Sequence, residues 1–353
     1  GLLRARMETF TGAVSADRRK MAETVRLLLD EGPFLSSDAV ANGLVDAAEF
    51  PDQVEEALAR RLGQKELTKV QASDYQRVPA AKLGLEDGPT IAVLAAEGDI
   101  LRHPIPYFAE ETLEPDAMRR HIRALRDDEK IRAVVLRVDS PGGDAIAAEE
   151  ILRELKLLAA KKPLIVSMAD VAASGGYAIA MAGKRVLANA ETVTGSIGVF
   201  YGKVSMEGLL EKLGLKMESL QTGKHAGIDS EFERLNPEAR AKLRSLVERT
   251  YRDFVGQVAA ARGRKVEEID RVAQGRVWLG SEAARNGLID EIGGLGRAVE
   301  AAAKEAGLAP GAKPRLVLYP PRPGLRESWE RKLRVYSSYR PPAAVWKRMS
   351  VVE

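Results

Sequence analysis

Cysteine is absent from this 353-residue chain. The absence excludes disulfide bonds and thiol catalysis, although it does not identify a cellular compartment. The chain also lacks an excess of charge of one sign, because 54 Lys and Arg residues stand against 51 Asp and Glu residues and leave a formal net charge of +3. This balance demands no polyanionic partner, and we expect no nucleic acid among the partners.

Long apolar stretches are absent as well. No run of apolar residues reaches about 18, the length from which a membrane-spanning helix is predicted. The printed sequence therefore predicts neither a spanning helix nor a signal sequence. For the parent protein this absence means little, because an internal repeat predicts that the chain is a fragment.

The sequence repeats itself at an offset of 244 residues, so that position 10 corresponds to position 254 and position 46 to position 290. Twelve residues in two groups, 10–18 and 35–46, are identical in this one register. In the first copy they are Phe10, Gly12, Val14, Ala16, Arg18, Leu35, Ser37, Ala39, Asn42, Gly43, Leu44 and Asp46. A period this long indicates duplicated domains rather than a solenoid of short units.

The two copies are unequally represented. Residues 1–66 correspond only to the C-terminal part of a domain, whereas residues 90–307 correspond to a whole one. Residues 67–89 are expected to connect the copies, and residues 308–353 to form a tail. Because the first residue would fall in the middle of a predicted helix, we interpret the chain as a fragment.

Two tight glycine turns each follow a predicted strand. Residues 134–138 form a mostly apolar run, typical of a buried parallel strand, and the Ser-Pro-Gly-Gly turn at 140–143 ends it. A second strand is expected over residues 163–168, and the Ala-Ala-Ser-Gly-Gly turn at 172–176 follows. This second turn places Ser174 at the first turn of a helix.

The position of Ser174 suits a nucleophile. A helix N-terminus offers unpaired N–H groups and a positive dipole end, both of which favour a developing oxyanion. The N–H groups of Gly175 and of Gly143, one from each turn, could form an oxyanion hole. The alternative is that Ser174 only caps the helix.

Two further elements are predicted beyond these turns. Residues 216–220 are expected to form a strand. Asn236 and Pro237 have the residue types of a helix cap and a first helical position, and they predict the start of the longest helix, which Gly263 ends.

Four blocks resemble the signature blocks of the signal peptide peptidase A family, also called protease IV. They are Ser-Pro-Gly-Gly at 140–143, Ala-Ser-Gly-Gly-Tyr at 173–177, Thr-Gly-Ser-Ile-Gly at 194–198 and Asn-Gly-Leu-Ile-Asp at 286–290. They occur in the family's order and spacing, and the resemblance covers about residues 90–307. It implies an α/β, crotonase-like (Clp-protease-like) fold with stacked parallel sheets and surrounding helices.

The resemblance also implies an activity. The family uses a serine nucleophile with a lysine general base, which points to Ser174, and it requires no cofactor or metal. Ser196 resembles the family serine whose hydroxyl helps to hold the lysine amine; otherwise it is a turn residue bonding its own backbone. The implied substrates are apolar peptides such as signal-peptide remnants. The implied setting is a homo-oligomer at a membrane, on the extracytoplasmic side of the inner or plasma membrane.

The general base is not obvious from the sequence. His103 lies in a proline-flanked stretch and His121 on a charged helix, and both are expected at the surface. Alignment with the family places the lysine position of single-domain members at Ala226, beside Lys224 and His225. Three explanations stay open: the lysine comes from the other repeat, Ala226 replaces a lysine by engineering or natural loss, or Lys224 or His225 acts as the base.

Two other functional classes stay open as well. A crotonase-type enzyme acting on acyl-coenzyme A would share the fold and the two-amide oxyanion hole, but it would not need Ser174. A non-catalytic assembly module would have lost its base. In the tail, Trp329, Tyr336, Tyr339 and Trp346 lie among Arg and Lys residues, which is typical of a surface or oligomer contact or, alternatively, a membrane-surface arm.

Overall fold

A computed structural model of the protein describes residues 2–79, 82, 88–102, 112–309 and 311–320. The chain forms two compact units, residues 1–86 (unit 1) and residues 87–353 (unit 2). The predicted domain limits stay predictions. In the described part of the chain, no helix is long and apolar enough to cross a bilayer. His103 and the four aromatic residues of the tail lie outside the described residues.

The regular elements in the described residues of unit 1 are all helices. Its helices are α1 (Leu2–Arg18), α2 (Ala22–Glu31), α3 (Ser36–Ala41), α4 (Pro51–Arg61) and α5 (Ala72–Gln76). Val25 and Ala59 are buried. Arg18, the last residue of α1, donates a hydrogen bond to Asp46 at 2.8 Å and so joins α1 to the segment after α3.

Unit 2 alternates strands and helices. Its strands are β1 (Thr90–Glu97), β2 (Asp99–Ile100), β3 (Thr112–Leu113), β4 (Ile131–Ser140), β5 (Leu164–Ala173), β6 (Arg185–Ala188), β7 (Val193–Gly195), β8 (Val277–Leu279), β9 (Glu291–Ile292) and β10 (Arg315–Tyr319). Its helices are α6 (Pro115–Asp127), α7 (Ala145–Ala159), α8 (Gly175–Ala180), α9 (Glu207–Lys212), α10 (Pro237–Arg262), α11 (Val266–Asp270), α12 (Gly280–Arg285) and α13 (Leu295–Glu305).

The main sheet of unit 2 is mostly parallel. Its path is β10-β1-β4-β5-β6-β9, and every neighbouring pair along this path is parallel. β7 continues the sheet beside the end of β5, and β8 runs antiparallel to β7. β2 and β3 form a separate two-stranded sheet. The predicted α/β class is confirmed, and β10 adds an edge strand from within the predicted tail.

Both faces of the central strands are buried. On β4, Val134 and Leu136 belong to the large core beneath α6, α7 and α10, whereas Ala133 and Val135 pack in a smaller cluster with α13. Burial on two faces explains why the strand reads as a continuous apolar run. The carboxyl ends of β4 and β5 therefore emerge side by side, each followed by a glycine turn.

The longest helix follows its predicted limits. Asn236 caps α10 by accepting a hydrogen bond from the Ala239 N–H at 2.7 Å, and Gly263 ends the helix in the left-handed conformation. By contrast, the strand predicted over residues 216–220 is wrong, because this segment has no regular structure and Leu220 is fully exposed.

The offset of 244 residues also relates the helices of the two units. α1 and α10 end at equivalent residues, α2 and α11 begin at equivalent residues, and α3 matches α12, as α4 matches α13, at both ends. The ion pair between Arg18 and Asp46 recurs between Arg262 and Asp290. The repeat is therefore one of structure as well as of sequence.

The apolar faces of these equivalent helices differ in their surroundings. Leu279 in unit 2 is 2% exposed, whereas its counterpart Leu35 is 74% exposed. Ala302 on α13 is fully buried among side chains of the sheet, whereas its counterpart Leu58 on α4 is 42% exposed. In unit 2 the strands cover this face, and the described residues of unit 1 include no strand to do so.

Candidate active site

The two glycine turns are in direct contact. A Cβ atom on Gly142 would lie 2.6 Å from the nitrogen of Gly175 and 2.8 Å from the Cβ of Ser174. A Cβ atom on Gly176 would lie 2.5 Å from the carbonyl oxygen of Ser140. Only a residue without a side chain fits at either position, so the glycines bring the two strand ends together.

Ser174 adopts an unusual backbone conformation. It connects β5 to α8 with φ 52° and ψ −118°, a combination that costs a non-glycine residue free energy. Its N–H donates to the carbonyl of Gly195 at 2.9 Å, and its carbonyl accepts from Ala178 at 2.9 Å. A sharp strand-to-helix turn of this kind also holds the nucleophilic serine of α/β-hydrolases, where it exposes the hydroxyl.

The side chain of Ser174 makes no capping hydrogen bond with α8. The alternative that the Ser174 side chain serves only as a helix cap therefore finds no support in this geometry. The residue immediately precedes α8 rather than standing in its first turn. Ser174 is half-buried, and its hydroxyl has no hydrogen-bond partner among the described residues.

Two backbone donors adjoin this serine. The N–H of Gly175 begins α8 and has no hydrogen-bond partner among the described residues, as expected for the first residue of a helix. Ile100 pairs with the other turn by donating to Gly142 and accepting from Asp144, both at 2.8 Å. The N–H of Gly143, between these two bonds, likewise has no partner among the described residues.

Ser196 lies in a loop that is held in place by contacts with residues 274–276. It follows β7 with φ 48°, and its N–H donates to the carbonyl of Arg276 at 2.7 Å. The Ser196 hydroxyl has no hydrogen-bond partner among the described residues, so the interpretation as a turn residue bonding its own backbone finds no support. A Cβ atom on Gly198 would lie 2.8 Å from the Cα of Gly275, so this loop packs tightly against residues 274–276.

Residues 274–276 and Tyr251 are parts of the site that the sequence did not predict. Gln274 has φ 58°, and its N–H donates to the hydroxyl of Tyr251 at 3.2 Å. Tyr251 in turn donates to Asp270 at 2.5 Å. Burial and this bond to Asp270 raise the pKa of Tyr251, which keeps its proton. The signal that could have located this segment was the glycine at 275, which follows a polar residue between two predicted elements.

Two cavities flank Ser174. The first, which we call the Ser196 cavity, has a volume of about 800 Å³ and is lined by Ser174, Ser196, Gly143, Tyr251 and Gln274, among others. The second, the Phe254 cavity, has a volume of about 700 Å³. It shares Ser174 and Gly143 with the first and adds Gly175, Leu152 and Phe254. Both volumes are in the range of ligand-binding clefts.

Lys224, His225 and Ala226 line neither cavity as far as the described residues show. The Lys224 ammonium lies 3.1 Å from the carboxylate of Glu238, and both side chains are largely exposed. Lys224 is therefore solvated and ion-paired, unlike the desolvated amine without a carboxylate partner that a general base requires. The Nδ1 atom of His225 is buried without a partner among the described residues.

His121 lies on α6, away from both cavities. Its ring meets that of Tyr319 edge to face, with the centroids 6.5 Å apart. It is half-buried rather than at the surface as predicted, and burial together with the charge of Arg120 lowers its pKa.

The block at 286–290 supports the site from behind rather than lining it. The buried hydroxyl of Tyr177 on α8 donates to the carbonyl of Leu288 at 2.7 Å. The guanidinium of Arg262 donates twice to the carboxylate of Asp290, at 2.7 and 2.9 Å. Burial alone would raise the pKa of Asp290, but the bonds from Arg262 and from the Val186 N–H lower it. These bonds join α8, α10 and β6.

Comparison with known proteins relates the chain to peptidases. Residues 156–309 match peptidase family S49. The chain is 37% identical over 310 residues to "Serine protease SPPA, chloroplastic" of Arabidopsis thaliana. The aligned region covers 86% of this chain and 46% of that protein. It is 38% identical over 275 residues to "Protease 4" of Salmonella typhi, with 76% and 43% covered.

The chain thus spans less than half the length of these two relatives. A putative protease of Synechocystis is more fully matched, with 38% identity over 191 residues, 54% of this chain and 69% of that protein. The chain belongs to peptidase family S49, the signal peptide peptidase A family, and its mostly parallel sheet with flanking helices is that family's crotonase-like (Clp-protease-like) fold.

Proposed function

We propose that this chain carries the nucleophile and the oxyanion hole of a serine peptidase whose general base is a lysine. Ser174 is the nucleophile, and the N–H groups of Gly143 and Gly175 hold the oxyanion. The observation that carries the proposal is the strained turn at Ser174, whose side chain caps no helix and stands beside two N–H groups without partners among the described residues.

The reaction follows from these groups. The lysine amine takes the hydroxyl proton of Ser174 as the oxygen attacks the peptide carbonyl carbon. The oxyanion accepts hydrogen bonds from the two glycines, each of which contributes about 3 kcal/mol of transition-state stabilisation. The lysine then protonates the leaving amine and the C–N bond breaks. Water, deprotonated by the same lysine, releases the acyl group and restores Ser174.

The lysine must be neutral to accept a proton. Its pKa has to fall by a few units from about 10.4, which requires an apolar setting without a carboxylate partner. We propose that the Ser196 hydroxyl accepts a hydrogen bond from this amine. The absence of a competing partner for that hydroxyl among the described residues and its position in the same cavity as Ser174 support this role.

We propose that the first repeat supplies the lysine. Ala226 has no amine, and Lys224 is ion-paired with Glu238. At the offset of 244, the position equivalent to Ala226 lies nineteen residues before Gly1. Four helices of unit 1 match helices of unit 2, and their apolar faces are exposed to solvent. Both observations support an earlier repeat in the parent protein.

For substrates and setting we propose apolar peptides, including signal-peptide remnants, cut by a homo-oligomer. The parent protein would work at the extracytoplasmic side of the inner or plasma membrane. Membership of the signal peptide peptidase A family supports both proposals. Exposed apolar side chains such as Phe200, Val204 and Leu220 support contact with another copy.

The test is a peptidase assay on this chain, on the full-length protein and on its Ser174→Ala variant. We expect the variant to lose activity by about 1,000-fold or more, because the covalent step cannot occur. Ser245→Ala, at an exposed position of α10, is the matched control and should retain activity. Full activity of Ser174→Ala would show that the nucleophile is assigned wrongly.

Two measurements separate the remaining alternatives. Covalent labelling of Ser174 by a fluorophosphonate is expected of a peptidase and not of a crotonase-type acyl-coenzyme A enzyme. A lysine nineteen residues before Gly1 in the full-length gene is expected for the divided site. A different residue there would favour the non-catalytic assembly module, for which Ala226 is the supporting observation.

A further inference from the structure

The two cavities beside Ser174 differ in their relation to the scissile bond. The roles of the two cavities rest on the proposed function. The lysine that protonates the leaving amine is expected beside Ser196, and only the Ser196 cavity contains that residue. The leaving side of the substrate therefore faces the Ser196 cavity. The acyl side, whose carbonyl is attacked, faces the Phe254 cavity, which contains Gly175.

Part of the wall of the Phe254 cavity is apolar, beside the polar side chains of Ser174, Thr250 and Gln257. Ala148 and Leu152 from α7 are buried, and Ala178 from α8 and Phe254 from α10 are partly exposed to the cavity. None of these side chains carries a polar atom. This part of the wall suits an aliphatic chain rather than a short polar group, because an apolar wall leaves a polar group without a partner.

The rim of the same cavity is acidic. Glu149 and Asp253 are exposed and have no hydrogen bond or ion pair among the described residues. A third carboxylate, Asp144, accepts hydrogen bonds from the N–H groups of Ile146 and Ala147. Arg252 is the cation at this rim among the described residues, and its Nε donates along α10 to the carbonyl of Glu248 at 3.3 Å.

We infer that the Phe254 cavity binds a lysine or arginine side chain of the substrate, on the residue whose carbonyl Ser174 attacks. The aliphatic stem lies against the apolar walls, and the cationic end meets Glu149 and Asp253 at the rim. A signal peptide carries its basic residues before its apolar segment. A remnant would therefore be cut within or at the border of the basic region.

The experiment compares two peptides with the full-length protein. They differ only at the residue before the scissile bond, which is lysine in one and norleucine in the other. We expect kcat/KM to be about five- to tenfold higher for lysine, since two exposed carboxylates each contribute weakly. This preference should fall as salt is raised from about 0.05 M to 0.5 M, where charges at the rim are screened.

The variant Glu149→Gln/Asp253→Asn should bring the ratio of the two kcat/KM values close to one. Glu248→Gln, an exposed carboxylate of α10 that lines neither cavity, is the matched control and should leave the ratio unchanged. Equal cleavage of the two peptides by the unmodified protein would overturn the inference, as would a ratio that survives the double substitution. If neither peptide is cut faster than by Ser174→Ala, the proposed function fails and the inference falls with it.

Discussion

At the scale of single residues, the contact between the two glycine turns decides whether Ser174 can act. Gly142 has φ +100°, and its Cα faces the backbone of Gly175. The nearest atoms are the Gly175 nitrogen, the Ser174 Cβ and the Ala173 carbonyl oxygen. None of them is the end of a flexible side chain that could move aside. The geometry of the site therefore depends on the absence of a side chain at Gly142.

Gly142→Ala should damage both activity and stability. The added Cβ would lie 2.6 Å from the Gly175 nitrogen and must push the oxyanion donor away. We expect a loss of about 10-fold or more in the rate of Ser174 labelling, and about 1–3 kcal/mol in the free energy of unfolding. Gly202→Ala, with no atom within 4 Å of its Cβ, is the control. Equal behaviour of the two variants would contradict the prediction.

Sequence patterns predict the glycine turns but not the wall behind Ser196. Glycines beside a serine after an apolar run signal a strand-turn-helix unit within a few residues. The contact between Ser196 and Arg276, in contrast, joins residues 80 positions apart and depends on Gln274 in a left-handed conformation, which is not typical of glutamine. Neither local composition nor periodicity indicates such a pairing.

At the scale of elements, the ion pair between Arg262 and Asp290 connects the longest helix to the sheet. The same carboxylate also accepts the N–H of Val186 at 2.7 Å. Arg262 is 12% exposed, so the pair is shielded from solvent. Its counterpart in unit 1 joins Arg18 to Asp46, which is 90% exposed. The equivalent ion pair is thus shielded from solvent in unit 2 and exposed to it in unit 1.

Asp290→Asn should lower the free energy of unfolding at pH 7 by about 1–3 kcal/mol, because it leaves a buried guanidinium unpaired. Asp46→Asn should have a clearly smaller effect. The pKa of Asp290 is lowered from its ordinary value of 3.8, so its contribution is present above that pH and is lost as pH falls below it. Urea unfolding at pH 7 and at about pH 3 tests both statements. Equal effects of the two substitutions would contradict them.

Helix limits were predictable where capping residues mark them. Asn236, Pro237 and Gly263 delimit α10 as expected. The segment 216–220 has an equally suggestive pattern of apolar and polar residues, yet it pairs with no strand among the described residues. A strand needs a neighbour for its hydrogen bonds, and a sequence pattern does not state whether one is present.

At the scale of the whole molecule, the open apolar faces of unit 1 are the largest departure from its counterpart in unit 2. Leu58 is half exposed here, whereas Ala302 at the equivalent position is covered by the sheet. If an earlier repeat covers Leu58 in the parent protein, the same substitution must act differently in the two contexts.

Leu58→Glu should change the free energy of unfolding of this chain by less than about 0.5 kcal/mol, because the carboxylate stays in water. In the full-length protein it should cost about 2 kcal/mol or more, since the charge would then be buried. Ala302→Glu, which buries a charge in unit 2 in either context, is the positive control. A similar tolerance of Leu58→Glu in both proteins would contradict an earlier repeat that covers this face.

Helix α10 gives the two sides of the site a common wall. Tyr251 borders the Ser196 cavity and Phe254 borders the Phe254 cavity, and at 1.5 Å per residue they are separated by only about 4.5 Å along the helix axis. Because α10 is rigid and is held at Arg262, it cannot tilt toward one cavity without moving the wall of the other. A bulky substrate residue before the scissile bond should therefore change which residues the enzyme accepts after that bond.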